Sequence, residues 1–219
     1  MTRTIHGAIP ATLVVTLAVA LVVLGGCGGG SSTLGPYAQA TLTAGTGLGD
    51  LALRTTTLQP FLARFGTGVP SFQAGDEFGI ELRYPEGASF LFALEGACRE
   101  RANAAPRDVI AALRDPAKLL AAFPECAGAP LRSVALAGSW WKGRTDAGVA
   151  LSTTRAEALA ALGPAHDVRG LWLAGESPMG PAADLLAWRS GLALWISEAQ
   201  SGPAKGHLVV TKVAIFPAE

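Results

Sequence analysis

The side chains of this sequence that could do chemistry are few, and most lack a partner at a useful spacing. His166 and Asp167 would make an acid–base pair if they converged. Neighbours on an extended loop point apart, however, and no nucleophile at a defined spacing accompanies them, so a surface or turn role is expected. Gly175-Glu176-Ser177-Pro178-Met179-Gly180 sets a serine between glycines, as a nucleophile-bearing turn does. Its second glycine comes one residue late and Pro178 stiffens the turn, so it reads as a loop. Gly45, Gly47 and Gly49 precede Asp50 without the strand, helix and lysine that a phosphate-cradling loop needs. Asp76, Glu77 and Glu81 lie near a strand start, where they form either a solvated face or a glycosidase-type carboxylate pair, and nothing selects the pair. No CxxC occurs and the later histidines, His166 and His207, are far apart, which argues against zinc. No catalytic residue, metal or cofactor is assigned on these grounds. The remaining reactive group is the thiol of Cys27, whose chemistry depends on what precedes it.

Before Cys27 stands an uncharged apolar run of 14 residues, Ala11 to Leu24, behind a short positive start that includes Arg3. That length suits the hydrophobic part of an export signal better than a membrane span. The run ends in Leu24-Gly25-Gly26-Cys27, which resembles the lipobox of bacterial lipoproteins: an aliphatic residue, two small residues, then cysteine. The resemblance implies cleavage after residue 26 and a diacylglyceryl thioether with fatty acyl chains such as palmitate on Cys27. It also implies a lipid anchor in the cell envelope. Since Gly28 is not the Asp that commonly retains such proteins in the inner membrane, it implies the outer membrane, facing the periplasm. An uncleaved amino-terminal helix is the alternative. A tether is expected over 27–46, opening with Gly28-Gly29-Gly30-Ser31-Ser32. With Cys27 acylated, Cys98 and Cys126 remain. An even count in an oxidising compartment favours a disulfide over two separate buried thiols.

Half of the 219 residues are hydrophobic and 16% are charged, so the mature chain can bury a core. Lys and Arg number 17, as do Asp and Glu, which leaves no basic footprint for nucleic acid and no polybasic run.

The elements that would carry these residues repeat. Thr57 to Gly66 reads as cap, amphipathic helix and terminating glycine. Thr154 to Gly163 has the same length, with a Thr154/Glu157 capping pattern and a Gly163-Pro164 stop. Leu53-Arg54-Thr55 upstream matches Leu151-Ser152-Thr153 with one residue of slippage. Hairpins follow: Gly79 to Tyr84 turning at Gly87 into Ala88–Phe92, and Ala183 to Trp188 turning at Gly191 into Leu192–Ile196. Each copy closes with a strand, Leu131 to Ala137 and Leu208 to Phe216. The expected class is α+β, two tandem helix-plus-antiparallel-sheet repeats over 47–142 and 143–219. The first carries a helical insertion at 97–130, with helices from Pro106 through Leu113 and from Asp115-Pro116 through Phe123. This order of capped helix, Leu162-Gly163-Pro164 stop and hairpin resembles small outer-membrane assembly lipoproteins of the SmpA/OmlA type and the β-lactamase-inhibitor-protein fold. The first copy departs from it at Phe65-Gly66-Thr67, which lacks the proline. The resemblance implies binding of another envelope protein, or scaffolding, without chemistry. An envelope hydrolase built on loop carboxylates is the alternative.

All five tryptophans, Trp140, Trp141, Trp172, Trp188 and Trp195, fall between 140 and 195. With a two-residue turn at Ser190-Gly191, Trp188 and Trp195 share one strand face, and Tyr84 holds the place of Trp188 in the first copy. Those three aromatics are the expected binding face; burial of the face is the alternative.

Overall fold

The computed structural model describes residues 34–66, 68–73, 79–104, 116–166, 173 and 184–218. The apolar run, Cys27, the Pro106–Leu113 helix, Asp76, Glu77, Asp167, Trp172 and the 175–180 loop lie outside them. The class is α+β. Seven strands form one antiparallel sheet in the order β4-β5-β6-β7-β10-β9-β8 among the described residues. They are β4 (Val69–Gln73), β5 (Gly79–Arg83), β6 (Ala88–Ala93), β7 (Leu131–Ala137), β8 (Asp184–Trp188), β9 (Leu192–Glu198) and β10 (Leu208–Ile215). A small sheet of β1 (Leu42–Thr43), β2 (Gly47–Leu48) and β3 (Leu51–Ala52) precedes it.

Period-two alternation decides what each sheet face buries. One face presents Ile80, Leu82, Phe90, Phe92, Val134, Leu136, Leu194, Ile196, Val213 and Ile215 to the main core. Helices α1 (Leu58–Phe65) and α4 (Arg155–Leu162) contribute Leu58, Phe61, Phe65 and Ala158 to that core. Phe61 is central to it, with ring centroids 4.8 Å from Phe90 and 5.1 Å from Phe92. The opposite face carries a smaller cluster of Leu91, Ala135, Ala187, Ala193 and Ala214, on which Leu173 is buried.

The same backbone bonds recur around both helices. The N-caps Thr57 and Thr154 form single antiparallel bridges to Pro130 and Val209, at the starts of β7 and β10. Arg54 and Ser152, the two described non-glycine residues with positive φ, donate to Leu131 and Val210 carbonyls. The C-cap glycines, Gly66 and Gly163, donate to Leu62 and Leu159. In the hairpins, Gly87 donates to the Tyr84 carbonyl and Gly191 to that of Trp188, and each glycine carbonyl accepts from the end of the third strand, Ala137 or Phe216. A Cβ at Gly191 would stand 2.2 Å from the Phe216 oxygen, and φ is +87° there, so glycine is required.

Three expectations are corrected. The chain is packed well inside the expected 27–46 tether: Leu34, Tyr37 and Leu42 are buried, because this stretch has enough apolar residues to fill the gap beside α1. Strand β4 stands beside β5, a strand beyond the three expected after α1. The hairpin turns at Gly87 and Gly191 hold three residues, so Trp188 pairs with Leu192 and Leu185 with Trp195. A slip of one residue sends the two indoles to opposite faces.

Within the insertion, α2 (Gly96–Ala104) and α3 (Pro116–Ala122) lead to a 3-10 turn at Pro124–Gly128. Only α3 was expected.

Candidate functional site

Tyr84 and Trp188, expected on an outward binding face, are buried in the main core at 7% and 2% exposure. The register puts them on the face that the helices cover. Each closes the helix above it: the Tyr84 hydroxyl donates to the Gly66 carbonyl at 3.1 Å, and Trp188 Nε1 to that of Gly163 at 3.3 Å. Burial, then the nearby Glu86 charge, pushes the Tyr84 hydroxyl pKa well up. Trp195 lies on the other face, half-buried, with Lys212 Nζ 4.2 Å from its ring centroid. The three aromatics therefore do not form one surface.

Cys98 and Cys126 are joined, with Cα atoms 4.8 Å apart across 28 residues of sequence. Both are buried against the main core. The bridge pinches the insertion where the sheet resumes at β7.

Glu81 does not offer a catalytic carboxylate to solvent. It is fully buried on the second face and paired to Arg83 at 2.7 Å. His166 sits beside the sheet edge, its N–H bonded to the Ala187 carbonyl, and His207 lies in the β9–β10 turn. Among the described residues, no three His, Cys, Asp or Glu side chains are grouped to hold a metal.

Two features escaped the sequence. The first is a clamp on the amino-terminal segment. The Tyr37 hydroxyl donates to Asp50 Oδ1, and Arg64 Nη1 meets Asp50 Oδ2 at 2.7 Å while its guanidinium lies over the Tyr37 and Phe65 rings. Burial, then the bond to Asp50, pushes the Tyr37 pKa up to about 12. The Tyr37 bond, then the Arg64 bond, hold the Asp50 carboxyl below its usual range. The second is a groove of about 460 Å3 where β7 ends and β10 runs on. Trp141, Lys142, Gln200, Ser201 and Thr211 line it over a floor of Val209 and Val210. It offers one amine, hydroxyls and an amide, which can hold a ligand but supply no paired acid and base. Its walls come from residues some 60 apart in sequence, and only the crowding of Trp140, Trp141 and Lys142 hinted at it.

Compared with known protein families, with curated proteins and with solved structures, the chain matches none. No helix among the described residues is long and apolar enough to cross a membrane.

Proposed function

We propose that this chain is a lipid-anchored envelope lipoprotein whose mature part binds or scaffolds another envelope protein. The observation that carries the reading is the lipobox-like junction at Cys27 and the start of the packed chain soon after it in the sequence. The 14-residue apolar run ends in Leu24-Gly25-Gly26-Cys27, and Leu34, the first described residue, is already buried seven residues later. The outer membrane, periplasmic side, is the proposed location, from Gly28 after the cysteine.

The mature part is further proposed to be two tandem copies of one helix-plus-sheet unit, as in the SmpA/OmlA and β-lactamase-inhibitor-protein resemblance. Supporting this are the matched bonds at Thr57 and Thr154, Tyr84 and Trp188, and Gly87 and Gly191. Binding is favoured over hydrolysis because, among the described residues, the groove beside Trp141 and Lys142 offers an amine, hydroxyls and an amide, while Glu81 is buried against Arg83.

Mass spectrometry of protein taken from cells with working lipoprotein processing tests the anchor. The expected result is an amino terminus at Cys27 carrying diacylglyceryl and acyl mass. An intact Met1 terminus would overturn the reading.

A further inference from the structure

The groove beside Trp141 lies where the large sheet changes partners. Strand β10 pairs with β7 from Ile215 to Lys212. It then pairs with the chain before α4, through Ser152 N–H to the Val210 carbonyl and Val210 N–H to the Thr153 carbonyl. Between the two pairings the chain leaves the sheet after Ala137, and the groove of about 460 Å3 is lined from both sides of that gap, by Gly138 and Ser139 and by Leu151 and Ser152. One wall is fixed by the amino-terminal segment: Trp141 Nε1 donates to the Ala40 carbonyl and Lys142 N–H to that of Ala38. A Cβ on Gly143 would stand 2.5 Å from Trp141 Nε1 and closer still to the Ala40 oxygen, so the wall closes only on glycine. A preformed concavity of this size suits a small ligand or a short stretch of chain.

The lining carries one cation, Lys142, and no acid, while Ser139, Ser152, Gln200, Ser201 and Thr211 supply hydroxyls and an amide. The acids nearest along the chain stay outside it. Asp146 accepts from the Ala44 and Ala147 N–H groups, and Glu198 stands at the end of β9. A second cation marks the end of the groove. Lys212 pairs with Ala137, and the next residues of the two strands, Thr211 and Gly138, belong to the lining. Neither nearby indole offers a free face for a neutral sugar, since Trp141 is 2% exposed and the Lys212 ammonium lies 4.2 Å from the Trp195 ring centroid. A carboxylate is attracted to both cations. Peptide N–H and C=O groups match hydroxyls and an amide, which donate and accept, and apolar side chains match the valine floor.

We propose that this groove holds a short acidic segment of the protein partner, its carboxylates toward Lys142 and Lys212 and its apolar side chains on Val209 and Val210. The proposal rests on the protein-binding reading and names the chemistry that the partner presents.

Fluorescence anisotropy on the full-length protein as cells process it, purified in detergent, tests this. The probe is a fluorescein-labelled pentapeptide of alternating glutamate and valine, and its control carries glutamine in place of glutamate. The glutamate peptide should bind about tenfold more tightly, a margin that shrinks as salt is added. Lys142→Gln should weaken it about threefold, and Ser201→Glu, an acid on an exposed rim residue, at least as much, with thermal midpoints unchanged. Equal binding of the two peptides, unchanged affinity in both variants, or tighter binding of the neutral saccharide triacetylchitotriose overturns the proposal. So does a glutamate peptide that fails to bind below about 1 mM. Crosslinking in intact cells separates this result from the reading beneath it. Envelope-protein crosslinks that survive Ser201→Glu leave partner binding standing and overturn the groove as its seat. A parent protein with no such crosslinks removes the reading, and the peptide comparison then decides the groove alone.

Discussion

Trp188 and Tyr84 each fill the space beneath a helix and cap its last turn with one polar atom, so both contribute packing and a hydrogen bond. Trp188→Phe and Tyr84→Phe keep most of the volume and should each cost about 1 kcal/mol, whereas Trp188→Ala should cost about 3–5 kcal/mol. Urea midpoints at unchanged slope would check this; a neutral Trp188→Ala would contradict the buried placement. The alternation that put both residues at equivalent strand positions was legible in the sequence. The face was not, because a turn of three residues instead of two inverts it, and Gly191 is compatible with either length. At Tyr37 the prediction is one of pH. A hydroxyl whose folded pKa is raised from 10 to about 12 gives stability that is complete below pH 10 and lost as pH climbs toward 12. Asp50, held low, gives stability that is present above the ordinary carboxyl pKa and lost as pH falls below it. Thermal midpoints followed across pH should therefore show Tyr37→Phe with a shallower alkaline fall than the parent, the remainder belonging to Tyr84. An unchanged alkaline limb would contradict the clamp.

The two helices of equal length start differently, for a reason visible in the sequence. Thr154 accepts from the Glu157 N–H and Glu157 reaches back to Thr154, whereas the third helical position after Thr57 is Pro60, which has no N–H to donate. Thr154→Ala should cost about 1 kcal/mol and Thr57→Ala distinctly less, comparable by chemical denaturation; equal losses would mean the cap is not what stabilises α4. Caps, stops and turn glycines are local, which is why both helices and six strands of the large sheet could be read directly. Strand β4 could not, because Pro70 breaks its run, as edge strands tolerate and central ones do not. Helix α2, Gly-Ala-Cys-Arg-Glu-Arg-Ala-Asn-Ala, has no apolar stripe to announce it. It is tied down instead by Cys98 and by contact with the Pro124–Gly128 turn. Cys98→Ser with Cys126→Ser should accordingly lower stability by about 3 kcal/mol. Limited proteolysis should then cut first within 97–130; cleavage elsewhere would show that the bridge does not hold the insertion.

At the scale of the whole molecule, the centre of the large sheet is held by β7 against β10 over four residue pairs. That pairing is narrow, and the amino-terminal segment adds to it from the helix side. It touches α1 through Arg64, the 139–150 connection through Leu42 and Ala38, and the second hairpin turn through the bond from Gly45 to Gly191. The sequence disguised this role: the glycine-rich stretch around Gly45, Gly47 and Gly49 looks like linker, and beside its own small sheet it bonds to residues far along the chain, at Arg144 and Gly191. Its buried side chains, Leu34, Tyr37 and Leu42, are each worth about 1.5–3 kcal/mol in area removed from water. Removing all three should thus cost about 4.5–9 kcal/mol, against a typical domain stability of about 5–15 kcal/mol. It would also bare Leu48, Leu51 and Leu53. A chain beginning at Leu34 should therefore unfold cooperatively, like the mature protein. One beginning at Gly47, where the sequence alone would place the domain start, should aggregate or lose its cooperative thermal transition. If the chain from Gly47 melts within a few degrees of the chain from Leu34, the segment is a passive tether after all, and the large sheet holds together without it.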